Sequence, residues 1–297
     1  MSKGTLKQNK IFGGLKPPTE DERDLQLGAI ITLPKLNEIP DEFTVAEVSR
    51  IKDQGETDLC TCFAGSYASE VQEDIELSPE YQFAKTKEIS GNIAEWGADM
   101  RDMLKSLCEG SLEARLVPDG LKLNLDGSNR DFIADIKNWP ESLKFESKKH
   151  KKKSFFKITG PYDNFDNIRA TMWKFRAERR VTITGAVWKH AWTVAPDAII
   201  PNGEYSGGFG HAFIFNKTRI VNGKLMLVAT LSNGLNFGDC GRYYFSREVV
   251  NNYFPYGAYT LLDISKEEAR ELMAHNWNMK YLWLAKVVLS IKKLLNL

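Results

Sequence analysis

Apolar residues recur with one period in the first half of the chain and another in the second. The small apolar run Phe63-Ala64-Gly65-Ser66-Tyr67-Ala68 predicts a buried helix from Cys60 to about Asp74. Ser78-Pro79-Glu80 has the order of an N-cap and first turn, and opens a second helix over 78–89. Met100, Met103, Leu104 and Leu107 form the stripe of a third over 97–109, which Gly110 stops. Between 116 and 147 the pattern is mixed, with turns at Asp119-Gly120 and Asp126-Gly127 and another helical turn at 129–133.

After residue 153 the segments become short and rich in β-branched and aromatic residues. Strands are expected over 155–159, 181–187, 212–215, 225–229 and 243–245, with a hairpin turn at Val221-Asn222-Gly223-Lys224 and one helix over 164–179. The run Lys148–Lys153 reads as a solvated crossing between the two parts. The chain is therefore expected to be α+β, in four parts. An extended, turn-rich arm (1–46) is followed by a helical lobe (47–153), an antiparallel sheet or barrel lobe (154–264) and a C-terminal amphipathic helix (265–297). Ser265-Lys266-Glu267-Glu268 is a capping box for that last helix, and Trp277, Tyr281, Leu284, Val288, Ile291 and Leu295 form its stripe.

Composition narrows the function. Forty basic and 39 acidic residues leave a net charge of +1, so no global field draws the chain to nucleic acid, and no nucleic-acid partner is expected. The C-terminal helix (266–297) favours a protein partner, with its basic face offering a membrane surface as the second choice. The N-terminus lacks the apolar stretch of a secretory signal, and no run of 18 apolar residues occurs. Four scattered cysteines (Cys60, Cys62, Cys108, Cys240) do not make a disulfide scaffold, so free thiols and a reducing, cytoplasmic location are expected. Cys108 and Cys240 read as buried small residues. Cys60-Thr61-Cys62 has no second ligand pair at metal spacing, so neither metal nor cofactor is expected.

The candidate chemistry centres on 51–65. Polar residues lead from Lys52 to Asp58, and Cys60 opens a helix, where free N–H groups and the helix dipole favour the thiolate. Gln54 lies across a loop from it, placed to turn its amide toward the same point and, with the Cys60 N–H, to stabilise an oxyanion. A base must come from elsewhere. His211 follows the glycine-rich Gly207-Gly208-Phe209-Gly210 at the head of a strand, while His150, His190 and His275 read as surface or structural residues. Asn233 ends the next strand and is placed to hold the imidazole Nδ1 proton.

Gln54-Gly55 with Cys60, then Gly208-Phe209-Gly210-His211-Ala212, then Asn233-Gly234 before Phe237-Gly238-Asp239-Cys240-Gly241, together resemble the papain-like (C1-type) cysteine peptidases over about residues 45–263. His211 and Asn233 follow Cys60 by 151 and 173 residues (211 − 60 and 233 − 60), against an expected spacing of about 130–150. The resemblance implies a two-lobed fold, helical then sheet. It makes Cys60 the nucleophile, His211 the general base and acid, Asn233 the orienter and Gln54 the oxyanion donor. Trp96 and Gly97, with Gly210, fall where the family holds substrate backbone.

Three positions depart from the family pattern. Thr61 replaces a tryptophan, Thr57 replaces a disulfide cysteine, and Leu235 stands near where an aromatic shields the Asn–His pair. With no long helical pro-segment expected, the arm does not read as a typical inhibitory propeptide, and the chain looks most like bacterial and bacteriophage members. A peptidase acting on peptide or protein substrates is thus expected. The alternatives are a papain-like structural or binding protein with weak or no turnover, such as a component of a phage particle, and acyl transfer by the same triad. A cleft filled by residues 1–46 would favour the binding protein.

Overall fold

The structure, a computed structural model, describes residues 11–17, 21, 24–203 and 207–275. Its arm carries a short helix, α1 (Leu27–Ile30), and a two-residue strand, β1 (Phe43–Thr44). The first long helix, α2 (Cys60–Glu73), is buried from residue 60 to 71; its residues there are small or apolar apart from Glu70, which pairs with Lys52. It ends at Asp74 in the left-handed conformation. α3 (Pro79–Ser90) is capped by the Ser78 hydroxyl, which accepts the Tyr81 N–H at 3.0 Å. α4 (Met100–Glu109) buries Met100, Met103, Leu104 and Leu107 against α2 and α3. Gly65 of α2 leaves room for the Met103 sulfur, which a Cβ there would meet at 2.2 Å. Two short helices, α5 (Arg130–Ala134) and α6 (Glu141–Ser147), close this half.

The second half is built on an antiparallel sheet. β2 (Ser154–Lys157), β3 (Thr182–Trp188), β4 (Phe209–Val221), β5 (Lys224–Thr230), β6 (Arg242–Phe245) and β7 (Ala258–Leu262) run in the order β2-β7-β3-β4-β5-β6, and β1 of the arm pairs with β4. α7 (Asn164–Lys174) and α8 (Arg247–Tyr253) pack beside it. Phe213 and Phe215 of β4 stack on Phe245 and Phe254 at centroid distances of 5.4 and 5.7 Å. α2 rests against β4, so the helix that begins at Cys60 and the strand that carries His211 share one interface.

The sequence expectations for α2, α3 and the five strands fall on observed elements, but several details differ. The sheet is open, with β2 and β6 at its ends, and does not close into a barrel. The helix expected from 97 begins at Met100, because Asp99 caps it by accepting the Arg101 N–H at 2.7 Å. The helix expected over 164–179 stops at Lys174, and turns follow. β7, α6 and α8 were not anticipated. The lysine run is only partly solvated: Lys152 is buried on Glu73, which also takes His150. Cys240 is exposed and Cys108 partly so, against the expectation of burial, and all four cysteines are free.

Ser265 and Glu268 form the expected capping box, with reciprocal bonds of 3.1 and 2.7 Å, and 266–275 is helical. The rest of the expected C-terminal helix (276–297) lies outside the described residues. Among the described residues no helix is long and apolar enough to cross a membrane.

Candidate active site

Two loops from opposite halves are joined at the head of α2. Asp53 bridges to Asn233, the Gln54 N–H donates to the Ser232 carbonyl at 2.7 Å, and the Gly234 N–H donates to the Lys52 carbonyl at 3.0 Å. The side chains continue the joint, since the Ser232 hydroxyl donates to Gln54 Oε1 at 2.6 Å. This fixes the Gln54 carboxamide, whose Nε2 donates to the Thr57 carbonyl at 2.8 Å and to the Phe12 carbonyl at 2.9 Å. The expected oxyanion donor therefore holds a carbonyl of the chain's own arm.

Cys60 is the first residue of α2 and is fully buried. Its sulfur accepts the Gly14 N–H at 3.2 Å and also faces the Ala212 N–H. These donors favour the thiolate, but burial outweighs them and pushes the Cys60 thiol up. The expectation of a thiolate set by the helix terminus is thus corrected. With the arm in place, desolvation dominates over the dipole.

His211 sits on β4 opposite Ala186 of β3 and is also fully buried. Burial lowers its pKa to about 3, with the nearby Asn233 pulling the other way. Asn233 lies beside the ring as expected. Yet both ring nitrogens and Asn233 Oδ1 lack a hydrogen bond of good geometry, so the contact is polar rather than a formed bond. Burial thus disfavours the charged form of both thiol and imidazole. The Cys60 sulfur faces the N–H of Ala212, the residue after His211, and among the described residues no hydrogen bond joins thiol and imidazole.

Residues 12–16 of the arm run through the groove between the two halves. The Leu15 N–H donates to the Gly210 carbonyl at 3.0 Å, and the Trp96 indole N–H donates to the Gly13 carbonyl at 3.2 Å. The Ala98 N–H donates to the Gly14 carbonyl at 2.7 Å, and the Lys16 N–H to the Ala98 carbonyl at 3.1 Å. Trp96 and Gly210 therefore bond the backbone of the chain's own arm. Gly97 does not, and its neighbour Ala98 pairs instead. Gly97, at φ +83°, donates its own N–H to Asp58 and accepts from Lys87 at its carbonyl, and the position needs glycine because a Cβ there would meet the Gly14 carbonyl oxygen at 2.3 Å.

Sequence reasoning missed the support beneath this strip. Asp58 is buried two residues before the cysteine and holds Arg130 of α5 through Oδ1 at 3.0 Å and Oδ2 at 2.6 Å. Arg130 in turn donates to the Ile93 and Glu95 carbonyls, so an ion pair fixes the 93–97 loop against the head of α2. Lys87, whose pKa burial lowers to about 8, ties down the Glu95 and Gly97 carbonyls from below. Trp188 is the second omission. It packs on His211 with ring centroids 5.4 Å apart, supplying from β3 the aromatic cover absent at Leu235, which is 62% exposed. The available signal was an aromatic at the end of the strand that pairs with the histidine's own.

A helical half and an open antiparallel sheet, with a cysteine at the head of the central helix and a histidine on the facing strand, define the papain-like cysteine protease fold. Solved structures with this fold include xylellain, a cysteine protease from Xylella fastidiosa, at TM-score 0.68 and 17% identity over 88% of this chain and 100% of that one. Digestive procathepsin L 3 of Tenebrio molitor larval midgut matches at 0.56 and 14%, covering 80% and 74%. ProCathepsin B S9 from Trypanosoma congolense matches at 0.56 and 12%, covering 84% and 85%. No family model and no curated protein matches the sequence.

Proposed function

We propose that the protein is a papain-like cysteine peptidase whose cleft is covered by its own arm. The observation that carries this reading is the papain-like fold with Cys60 at the head of α2 and His211 on the strand packed against it; residues 12–16, held by hydrogen bonds that any extended peptide is able to make, mark the groove. Once a substrate replaces the arm, the Cys60 proton passes to His211, and the sulfur bonds to the substrate carbonyl carbon. The Gln54 amide and the Cys60 N–H stabilise the oxyanion. The imidazolium then protonates the leaving amine, and water, deprotonated by His211, hydrolyses the thioester. Asn233 orients the ring, as its place beside His211 supports. Endopeptidase cleavage, a cytoplasmic or phage setting and partner binding through the segment from Lys266 belong to the same proposal.

The test is labelling by an epoxide or vinyl-sulfone electrophile together with digestion of a peptide library by the full chain. Cys60→Ala is expected to abolish both, and His211→Ala to slow both. Equal labelling of the Cys60→Ala protein overturns the assignment. A second reading, a binding protein without turnover, is favoured by the filled cleft and by the absence of a Cys60–His211 hydrogen bond. Labelling without cleavage of any peptide selects it.

A further inference from the structure

Tyr67 is buried on α2, seven residues after Cys60, which puts it on the same face of the helix two turns further along. Its ring fills space, as any aromatic would there, but its hydroxyl is both an acceptor and a donor. It accepts the Lys52 N–H at 2.5 Å and donates to the Leu231 carbonyl at 3.5 Å. Lys52 lies two residues before Gln54, and Leu231 lies two residues before Asn233. One hydroxyl on the helix of Cys60 therefore bonds the feet of both loops that meet at the site.

Lys52 is held at every other polar group. Its carbonyl accepts the Gly234 N–H at 3.0 Å, and its ammonium is paired inside the protein with Glu70, the next turn of α2. The same ammonium donates to the Leu77 carbonyl at 2.8 Å, and Glu70 accepts the Leu77 N–H at 2.9 Å. So fixed a residue transmits the position of the helix rather than absorbing it. Beyond Lys52 the joint of Gln54 with Ser232, through backbone and side chain, carries that position across to the loop of Asn233.

We propose that Tyr67 is a positioning residue whose hydroxyl sets Gln54 and Asn233 together, as one body, relative to the Cys60 sulfur. Nucleophile and hydroxyl ride on one rigid helix, so a loop tied to the hydroxyl keeps its distance from the nucleophile, and small misplacements of such groups cost rate rather than binding. The inference rests on the peptidase reading above and adds to it the part that aligns its donor and orienter.

The test compares Tyr67→Phe with Tyr81→Phe on the full chain. Tyr81 is an equally buried tyrosine of α3, and its hydroxyl is bonded to the Ser147 hydroxyl at 2.9 Å, so its loss controls for structure alone. On a library peptide that the unaltered chain cleaves, Tyr67→Phe is expected to lower kcat about tenfold with KM within about twofold, and Tyr81→Phe to change neither beyond about twofold. In a Gln54→Ala background the Tyr67→Phe loss is expected to shrink to less than about threefold, since groups acting through one another are not additive. A separate measurement needs neither turnover nor a variant. In the unaltered chain the backbone amides of Lys52, Gln54 and Gly234 are expected to show hydrogen-exchange protection within about threefold of one another, as a unit that opens together.

A kcat for Tyr67→Phe equal to that of Tyr81→Phe, or a loss undiminished by Gln54→Ala, overturns the proposal. So does a Lys52 amide about tenfold less protected than that of Gln54, a reading that stands even where Tyr67→Phe fails to fold. If the unaltered chain cleaves nothing, the peptidase reading falls, while matched protection of the three amides still upholds the single body held by Tyr67.

Discussion

The two walls of the groove treat polar groups in opposite ways. On the helical side each principal polar group has its partners: Gln54 with Ser232, Thr57 and Phe12, and Asp58 with Arg130 and Gly97. On the sheet side, His211 and Asn233 sit buried with their ring nitrogens and Oδ1 lacking well-formed bonds. A buried polar group without a partner costs about 1–3 kcal/mol. The difference teaches that the helical wall is a finished scaffold, whereas the sheet wall leaves hydrogen-bonding capacity unspent, as the proposed peptidase would require.

Breaking the scaffold should cost most. Arg130→Met leaves the Asp58 carboxylate buried without its cation and is expected to lower stability by about 3–5 kcal/mol, read as a shift in denaturation midpoint. A loss under about 1 kcal/mol would show that the ion pair is not what fixes this wall. The sheet wall should appear next, as a pH effect. His211 has a lowered native pKa of about 3, so between the unfolded value near 6.5 and that native value the unfolded chain binds the extra proton. Stability is therefore expected to be fully present above about pH 6.5 and to fall with acidification, by up to about 1.4 kcal/mol per pH unit from this residue alone. His211→Phe should flatten that slope in urea titrations across pH 4–7.

Smaller effects sharpen the contrast. Ser232→Ala removes one hydrogen bond to Gln54 and is expected to cost about 1 kcal/mol, together with a faster exchange of the Gln54 side-chain amide protons seen by NMR. Arg179→Ala, which breaks an exposed pair with Asp74, should change the melting temperature little, by less than about 0.5 kcal/mol in stability.

Much of the architecture was legible in the chain because its signals are local. Periodicity placed α2 and α3, caps placed their starts, and the Asn222-Gly223 turn placed the β4–β5 hairpin. β7 escaped because Ala258–Leu262 has no turn pair marking it and earns its place only by pairing with β2 and β3. The candidate site was legible as residue types: Gln54 and Asn233 lie on the two joined loops, Asn233 stands beside His211, and the Cys60 sulfur faces the Ala212 N–H. What stayed hidden depends on contacts across long stretches of sequence. The Asp58–Arg130 pair spans 72 residues, Trp188 reaches His211 only through strand register, and the path of residues 12–16 is set by walls from both halves. For Cys60, local position argued for the thiolate and burial in the folded chain overrode it.

The arm is also tied down just beyond the groove. Gln26 bridges to Lys157 of β2, and the Lys157 N–H donates to the Leu25 carbonyl at 2.9 Å, so only residues 17–24 separate the part over Cys60 from a fixed point on the sheet. A strand released on so short a leash remains at an effective concentration on the order of millimolar. A free peptide must outcompete that local supply, so dilution of the protein does not open the groove.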